Sequence, residues 1–306
     1  MNTTTPCSFL SENVIRRKLN KVLQEVDGYI KPEPLDPTEI HQLRRSIKKL
    51  RAWIRLLRKQ NGFRKLNKCD RLLGTFANSY SSMRDTHVAV QTLQWLQEWV
   101  NALPDEGGNN SASAEQSANV DFTAGIALLQ SLPADAAVLQ DPELSSKVLD
   151  VMQQVADSTS AAGDKEILRQ GMRQTWRKAK RVYKVAKEDP TAANLHRLRR
   201  WVKHLCNQFE LTLVLGTSGP VRQMHKHLVS LAAQLGRYHD IVVLWENMPA
   251  VNKPKAKTDT FAGEKQQIEQ VALKAGLDLL MESMNLADLC FSKTPKSFTD
   301  GLKEKR

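Results

Sequence analysis

The sequence predicts an all-α protein, and three observations support that prediction. Apolar residues recur at helical spacing along most of the 306-residue chain, whereas the alternation typical of β-strands is nearly absent. Proline, glycine and asparagine clusters interrupt this pattern where helices are expected to end. A segment of the first half also recurs in the second half, which indicates two related helical units.

The helix boundaries follow from these breaking and capping residues. Residues 31–37 contain three prolines and precede the second helix, and Asn61-Gly62 is a typical C-terminal signal. The predicted helices cover residues 8–29, 37–60, 63–80, 85–103, 121–131, 142–157, 162–187, 191–215, 219–236, 240–248 and 262–286.

Composition and charge limit the function classes. The chain carries a formal charge of +12, which favours an anionic partner but does not choose among nucleic acid, polyphosphate and a membrane surface. It has no apolar run long enough to span a membrane and no secretory signal in its first ten residues. Its four cysteines are isolated, which is typical of reduced thiols, so we expect a cytoplasmic protein.

The charge is distributed unevenly. Residues 104–158 contain nine acidic residues and one basic residue, so this stretch carries −8 and the rest of the chain carries +20. Residues 104–120 are also of low complexity. We therefore expect a first helical unit at 1–103, an acidic linker with short helices at 104–160, a second unit at 161–292 and a tail at 293–306.

The internal repeat has a constant offset of 155 residues. Residues 40–50, IHQLRRSIKKL, align with residues 195–205, LHRLRRWVKHL, and the same offset relates Asp85 to Asp240 without a gap. Such a match predicts two helical units related by a pseudo-two-fold axis. Asp85 and Asp240 suit the first turn of a helix, where a carboxylate accepts from free backbone N–H groups.

The repeated helices each place a basic stripe beside an apolar one. The first apolar stripe consists of Ile40, Leu43, Ile47, Leu50, Ile54 and Leu57, and the second of Leu195, Leu198, Val202, Leu205 and Phe209. The basic stripe lies one residue on, about 100° around the helix. Between Glu39 and Asp70 the chain has no acidic residue, so we expect water or a bound polyanion to offset the repulsion within the first basic stripe.

Two interpretations of the basic stripes remain open from the residues alone. They are either ordinary solvated helix faces or parts of one anion-binding site. His41 and His196 likewise suit either a hydrogen-bonded structural histidine or a phosphate ligand. The sequence offers no metal-ligand cluster, no phosphate-binding loop and no nucleophile with its base, so we expect no enzymatic activity, no metal and no cofactor.

The two motifs His41-Gln-Leu-Arg-Arg and His196-Arg-Leu-Arg-Arg, each followed 44 residues on by an aspartate, resemble the CHAD family (conserved histidine α-helical domain). The resemblance extends over nearly the whole chain. It implies two helical bundles around a basic central cavity that binds inorganic polyphosphate without hydrolysing it, and it suggests association with polyphosphate granules. A sequence-independent nucleic-acid-binding protein is the alternative.

The resemblance also implies a set of polyphosphate ligands. They are His41, Arg44, Arg45, Lys48, Arg51, Arg55, Arg84, Arg173, Arg177, Arg181, His196, Arg199, Arg200 and Lys203. The second helix departs from the pattern, because Cys206 and Glu210 stand where the first helix has Arg51 and Arg55. The three arginines at 173, 177 and 181 are expected to compensate for that loss, which gives a cleft with a stronger first wall.

Overall fold

The computed structural model of the chain describes residues 6–31, 33–57, 63–80, 85–103, 120–131, 141–158, 165–213, 219–247 and 259–294. The described residues form α-helices and connecting turns and contain no β-strand, which confirms the predicted fold class.

Ten helices are present in the described part of the chain. They are α1 (Pro6–Asp27), α2 (Pro37–Leu56), α3 (Phe63–Asn78), α4 (Asp85–Asn101), α5 (Thr123–Gln130), α6 (Pro142–Ser158), α7 (Lys165–Glu188), α8 (Ala192–Leu213), α9 (Gly219–Asn247) and α10 (Asp259–Phe291). Most lie within a few residues of the predicted boundaries, which is the usual uncertainty at helix ends.

The start of α2 is fixed by a capping box. The backbone N–H of Glu39 donates to the Asp36 carboxylate at 2.8 Å, and the backbone N–H of Asp36 donates to the Glu39 carboxylate at 3.0 Å. Pro37 occupies the first turn, where its missing N–H costs nothing. These contacts satisfy the free N–H groups of the first turn and set the register of the basic stripe that follows.

Both predicted apolar stripes lie in the core. Every member of the stripe on α2 from Ile40 to Leu57 is buried, and so is every member of the stripe on α8 from Leu195 to Phe209. Burial of one such side chain stabilises a fold by about 1.5–3 kcal/mol. The rotation of α2 and α8 about their own axes is therefore fixed, and with it the direction of their basic residues.

Helix α9 corrects two predictions. We expected separate helices at 219–236 and 240–248 with Asp240 in a first turn, but α9 is continuous and Asp240 lies in its interior. Gly236 costs about 1 kcal/mol relative to alanine within a helix. That cost does not break α9, because Leu235, Ile241 and Leu244 on either side of the expected break are buried. Asp85, by contrast, is the first residue of α4.

The chain divides into two compact units. The first consists of Met1–Ser82, Asp135–Ala233 and Met284–Arg306, and the second of Met83–Ala134 and Gln234–Ser283. Each unit combines segments from both halves of the sequence, while the expected boundaries at 103, 160 and 292 stay predictions. Helices α2, α7 and α8, which carry most of the predicted ligands, all belong to the first unit.

The second unit has its own core, built from α4, α5, α9 and α10. Its apolar side chains include Leu93, Phe122, Leu244 and Ile268, all fully buried. The Glu264 side chain accepts a hydrogen bond from the Gly125 backbone N–H at 2.8 Å, which ties α5 to α10. This unit contains His239, Asp240 and the described part of the Asp85 helix.

Candidate functional site

Four basic residues of α2 recur with the same identity in α8 at the 155-residue offset. We call them the α2 quartet and the α8 quartet, and the matched pairs are His41 and His196, Arg44 and Arg199, Arg45 and Arg200, and Lys48 and Lys203. Arg45 and Arg200 are exposed, whereas Arg44 and Arg199 are half-buried. The match in identity ends at this point, because Lys49 corresponds to His204.

Helices α2 and α8 cross through a reciprocal pair of hydrogen bonds. The Trp53 indole Nε1 donates to the Asn207 carbonyl at 2.8 Å, and the Gln208 side-chain Nε2 donates to the Ala52 carbonyl at 2.9 Å. The offset of 155 converts each bond into the other, since it relates Trp53 to Gln208 and Ala52 to Asn207. The contact is the one that a local two-fold axis requires, while the two-fold relation between whole bundles stays a prediction.

This crossing places the two quartets in equivalent positions. Each quartet begins eleven residues before the backbone carbonyl that accepts a crossing hydrogen bond, at His41 relative to Ala52 and at His196 relative to Asn207. Each therefore lies on the N-terminal arm of its helix and extends about 10 Å along the axis. The quartets form the part of the predicted site that both repeats share.

Arg51 and Arg55 are held by Asp70 of α3. The Arg51 Nε lies 2.8 Å from Asp70 Oδ1, and the Arg55 Nη2 lies 2.6 Å from Asp70 Oδ2. Arg55 is only 8% exposed and Asp70 only 5%. Arg51 and Arg55 therefore share one carboxylate of the same chain, which offsets one of their two charges and corrects the expectation that only water or a polyanion would do so.

Gly74 allows Arg51 to reach that position. A Cβ atom at residue 74 would lie 2.9 Å from Arg51 Cζ, closer than a real Cβ contact. The absence of a side chain therefore lets the guanidinium lie against α3. This contact, like the ion pairs, indicates that Arg51 and Arg55 join α2 to α3.

Arg44 also contacts α3, although in a different way. Its Nη1 donates to the backbone carbonyl of Ala77, close to the C-terminus of that helix at Asn78. A cation suits this end of a helix because its free carbonyls carry partial negative charge. Arg44 thus combines a place in the α2 quartet with a contact that fixes its side chain.

Positions at which the two repeats differ contact each other across the α2–α8 interface. Glu210, which replaces Arg55 at the offset, accepts from Lys49 Nζ at 2.9 Å. His225, which replaces Asp70, lies near Glu210. Burial lowers the pKa of His225, and the Glu210 carboxylate opposes that shift. The second repeat therefore has a carboxylate, Glu210, on α8 at the position where the first repeat has Arg55 on α2.

The predicted residues of α7 lie on a different side of that helix from Thr175, which contacts α8. Thr175 faces α8, since its hydroxyl accepts from Gln208 Nε2 at 3.0 Å. Arg173 and Arg177 lie two residues before and after it, about 200° around the helix. Arg177 and Arg181 are exposed. These arginines therefore lie on a side of α7 different from the one that carries Thr175, and their expected role beside the α8 quartet stays a prediction.

Trp201 of α8 lies beside cations of two other helices. Its ring is 5.3 Å from the Arg55 guanidinium of α2 and 6.0 Å from Lys178 Nζ of α7, and His204 approaches it edge-on at 5.6 Å. Such contacts stabilise a cation by about 0.5–2 kcal/mol. Trp201 therefore gives the Arg55 guanidinium a second contact in addition to its ion pair with Asp70.

The sequence prediction missed Asp70, Gly74 and Trp201 as determinants of the site. A signal existed for Asp70, because it shares the buried face of α3 with Leu66 and Leu73, and a lone carboxylate on an apolar face indicates a buried ion pair. Gly74 and Trp201 gave no comparable signal, since their importance depends on which helices pack together.

The remaining predictions can be placed briefly. Arg84 lies outside the described residues, as do the side chains of Cys7 and Asp85. Cys69, Cys206 and Cys290 are free thiols, and burial raises the pKa of Cys206 to about 12. In the described ranges, no three histidine, cysteine, aspartate or glutamate side chains group in a way that could hold a metal ion. No described helix is long and apolar enough to cross a membrane.

Comparison with known proteins agrees with the resemblance drawn from the motifs. The family model described as the CHAD domain matches residues 13–248, which is well over half of the chain. No curated protein and no solved structure was found to be significantly similar. The chain, with its two repeated histidine-arginine helices inside the matched region, therefore belongs to the CHAD family.

Proposed function

We propose that this protein binds inorganic polyphosphate through the α2 and α8 quartets and does not hydrolyse it. The observation that supports the proposal most directly is the identity of the two quartets, residue by residue, on helices that exchange reciprocal hydrogen bonds. A polymer of identical charged units presents the same chemistry to both helices. Two identical sets of ligands suit such a ligand better than they suit an asymmetric small molecule.

The residue types of the quartets fit phosphate oxygens. Arginine presents a planar fork that can donate two parallel hydrogen bonds to one phosphate group. Lysine adds a compact charge, and a protonated histidine can donate from either ring nitrogen. Each quartet thus supplies donors at successive points along about 10 Å of helix, a length that suits an extended chain of phosphates.

Arg51 and Arg55 have a different role in this proposal. Their ion pairs with Asp70 fix α2 against α3 and hold the helix that carries the α2 quartet. They position the site, and the quartets contact the ligand. This assignment shortens the ligand set that the family resemblance implies.

A paired titration tests the ligand class. The protein is titrated with long-chain polyphosphate and with duplex DNA at equal phosphate concentration and about physiological salt, where exposed charges are strongly screened. We expect polyphosphate to bind at least tenfold more tightly than DNA. Equal or tighter binding of DNA would contradict the proposal and favour a sequence-independent nucleic-acid-binding protein.

The same samples test the absence of hydrolysis. Polyphosphate is incubated with the protein and added divalent metal ions, and released orthophosphate is measured over time. We expect no release above the protein-free control, because no pair of nucleophile and base is recognisable in the sequence. Release proportional to protein concentration would show a phosphohydrolase.

A further inference from the structure

Helix α10 carries a row of apolar side chains on its exposed side. We define the α10 stripe as Leu273, Leu277 and Met281, which are 66%, 54% and 59% exposed. They are the three most exposed of the large apolar side chains that the structure describes. Their spacing of four residues places them on one side of the helix, along about 12 Å of its axis.

The opposite side of α10 already lies in the core of the second unit. The residues buried there are Ile268, Ala272, Ala275 and Leu279. Ala275 lies two residues from both Leu273 and Leu277, about 200° around the helix, so the buried row and the α10 stripe point in opposite directions. A surface helix normally has polar residues on its outer side, and adjoining exposed apolar side chains mark a contact with another molecule.

The charge of α10 disfavours an anionic partner at this stripe. The helix contains six acidic residues and two lysines, so it carries a formal charge of −4, whereas the whole chain carries +12. Polyphosphate, nucleic acid and an anionic membrane surface are repelled by such a helix. The α10 stripe therefore suits a protein surface, and it is chemically separate from the quartets.

The α10 stripe is complementary to itself when two α10 helices pair antiparallel about Leu277. In that register, Leu277 meets Leu277 of the second copy. Leu273 lies four residues before the centre and Met281 four residues after it, so each is level with the other in the second copy. All three side chains of each copy therefore meet apolar side chains of the other.

The charged residues beside the stripe favour the same arrangement. Lys274 and Asp278 are the only charged residues between Glu269 and Glu282, and each follows a stripe residue by one position, so both lie along the same edge of the stripe. In the antiparallel register, Lys274 of one copy comes within about 3 Å along the axis of Asp278 of the other, and this contact occurs twice. A parallel pair would instead place lysine beside lysine and aspartate beside aspartate, which is destabilising.

We propose that the α10 stripe is the interface of a homodimer in which two α10 helices pair antiparallel. Two-fold dimers are the commonest symmetric oligomers, and they use the same self-complementary surface on both copies. Three apolar side chains are far fewer than the about 20–30 residues that each partner contributes to a standard interface, so we expect a weak dimer with a dissociation constant in the micromolar range. The inference does not depend on the proposed function, because it uses no residue of either quartet.

Sedimentation velocity of the full chain, from low to high micromolar concentration and without polyphosphate, tests this inference. The double variant Leu273→Glu with Leu277→Glu places four carboxylates in the apolar contact, so we expect it to weaken self-association at least about 100-fold. The control Leu149→Glu with Val229→Glu replaces two exposed apolar residues of α6 and α9 by the same side chain, and it should associate as wild type does. Circular dichroism verifies that helix content is unchanged in both variants. A wild type that stays monomeric throughout, or equal association of the two double variants, would overturn the inference.

A charge exchange tests the antiparallel register separately. Asp278→Lys alone puts like charges against Lys274 of the second copy, so we expect it to weaken self-association at least about tenfold. Adding Lys274→Asp restores opposite charges in both contacts, and the doubly exchanged variant should associate as wild type does. If the second substitution restored nothing, the antiparallel pairing would be wrong.

Discussion

Arg51, Arg55 and Lys48 belong to one basic stripe, but their surroundings differ. Arg55 is buried in contact with both the Asp70 carboxylate and the Trp201 ring, whereas Lys48 is half-buried beside the exposed Arg45. A buried cation is stable only while its partner is present. We therefore assign Arg51 and Arg55 to the fold, while the quartets stay the proposed ligand contacts.

Replacement of Asp70 by asparagine tests this assignment. The change leaves Arg55 buried without its carboxylate, so we expect the free energy of unfolding to fall by roughly 3–5 kcal/mol. Urea unfolding followed by circular dichroism measures the loss. Glu143→Gln is the control, since the Glu143–Lys147 pair is exposed and its loss should not change stability measurably. Equal stability of wild type and Asp70→Asn would contradict a structural role for these arginines.

At the scale of the helix, close approach between α2 and α7 depends on one glycine. A Cβ atom at Gly171 would lie 2.7 Å from Leu56 Cα and 2.8 Å from its carbonyl carbon. Backbone atoms cannot move aside as the end of a side chain can. This approach packs α7 closely against α2 at the position of Gly171.

Gly171→Ala should destabilise the protein, although alanine is the better helix former. The clash with backbone is expected to cost about 1–3 kcal/mol, more than the gain of up to about 1 kcal/mol in helix propensity. Gly276→Ala in α10 is the matched control, because nothing lies within 4 Å of the added Cβ. Urea unfolding should show a loss for the first variant and a small gain for the second. A gain for both would mean that the helices can separate at little cost.

The helices and their buried faces could be predicted from sequence, but their partners could not. The apolar stripes on α2 and α8 depend on local periodicity, and both were confirmed as buried. The Asp70–Arg55 pair and the outward direction of Arg177 depend on which helix packs against which, and that is decided by the tertiary fold. The break expected within α9 failed for the same reason, because buried residues on both sides outweigh the glycine at 236.

At the scale of the whole molecule, buried weak acids limit stability at high pH. Burial raises the pKa of Tyr80 to about 12, and burial together with the Asp288 contact raises the pKa of Tyr183 to about 12. Burial has the same effect on Cys206 and Cys290. All four groups are held neutral in the folded chain at pH values where the unfolded chain ionises.

The free energy of unfolding should therefore decline at alkaline pH. A raised folded-state pKa contributes stability that is present below the unfolded value, near 9 for cysteine and 10 for tyrosine, and lost as pH rises towards 12. Between pH 8 and 11, Tyr80→Phe should reduce this loss of stability by about 1 kcal/mol, because pH 11 lies about one unit above the ordinary tyrosine pKa. Urea unfolding at pH 8 to 11 measures it. Identical slopes for wild type and Tyr80→Phe would contradict the burial of that hydroxyl.

Calorimetric titration with long-chain polyphosphate tests the central claim, that the two quartets are the binding site, most directly. The double variant Arg45→Glu with Arg200→Glu changes one exposed member of each quartet. Arg222→Glu with Lys226→Glu, at two exposed positions of α9, is the control that changes the net charge by the same amount. Charge-assisted hydrogen bonds are worth about 1.5–3 kcal/mol each, so we expect the quartet variant to weaken binding at least 100-fold and the control to weaken it less than tenfold. If both variants lost affinity equally while helix content stayed unchanged, polyphosphate binding would depend only on net charge, and that result would contradict the account.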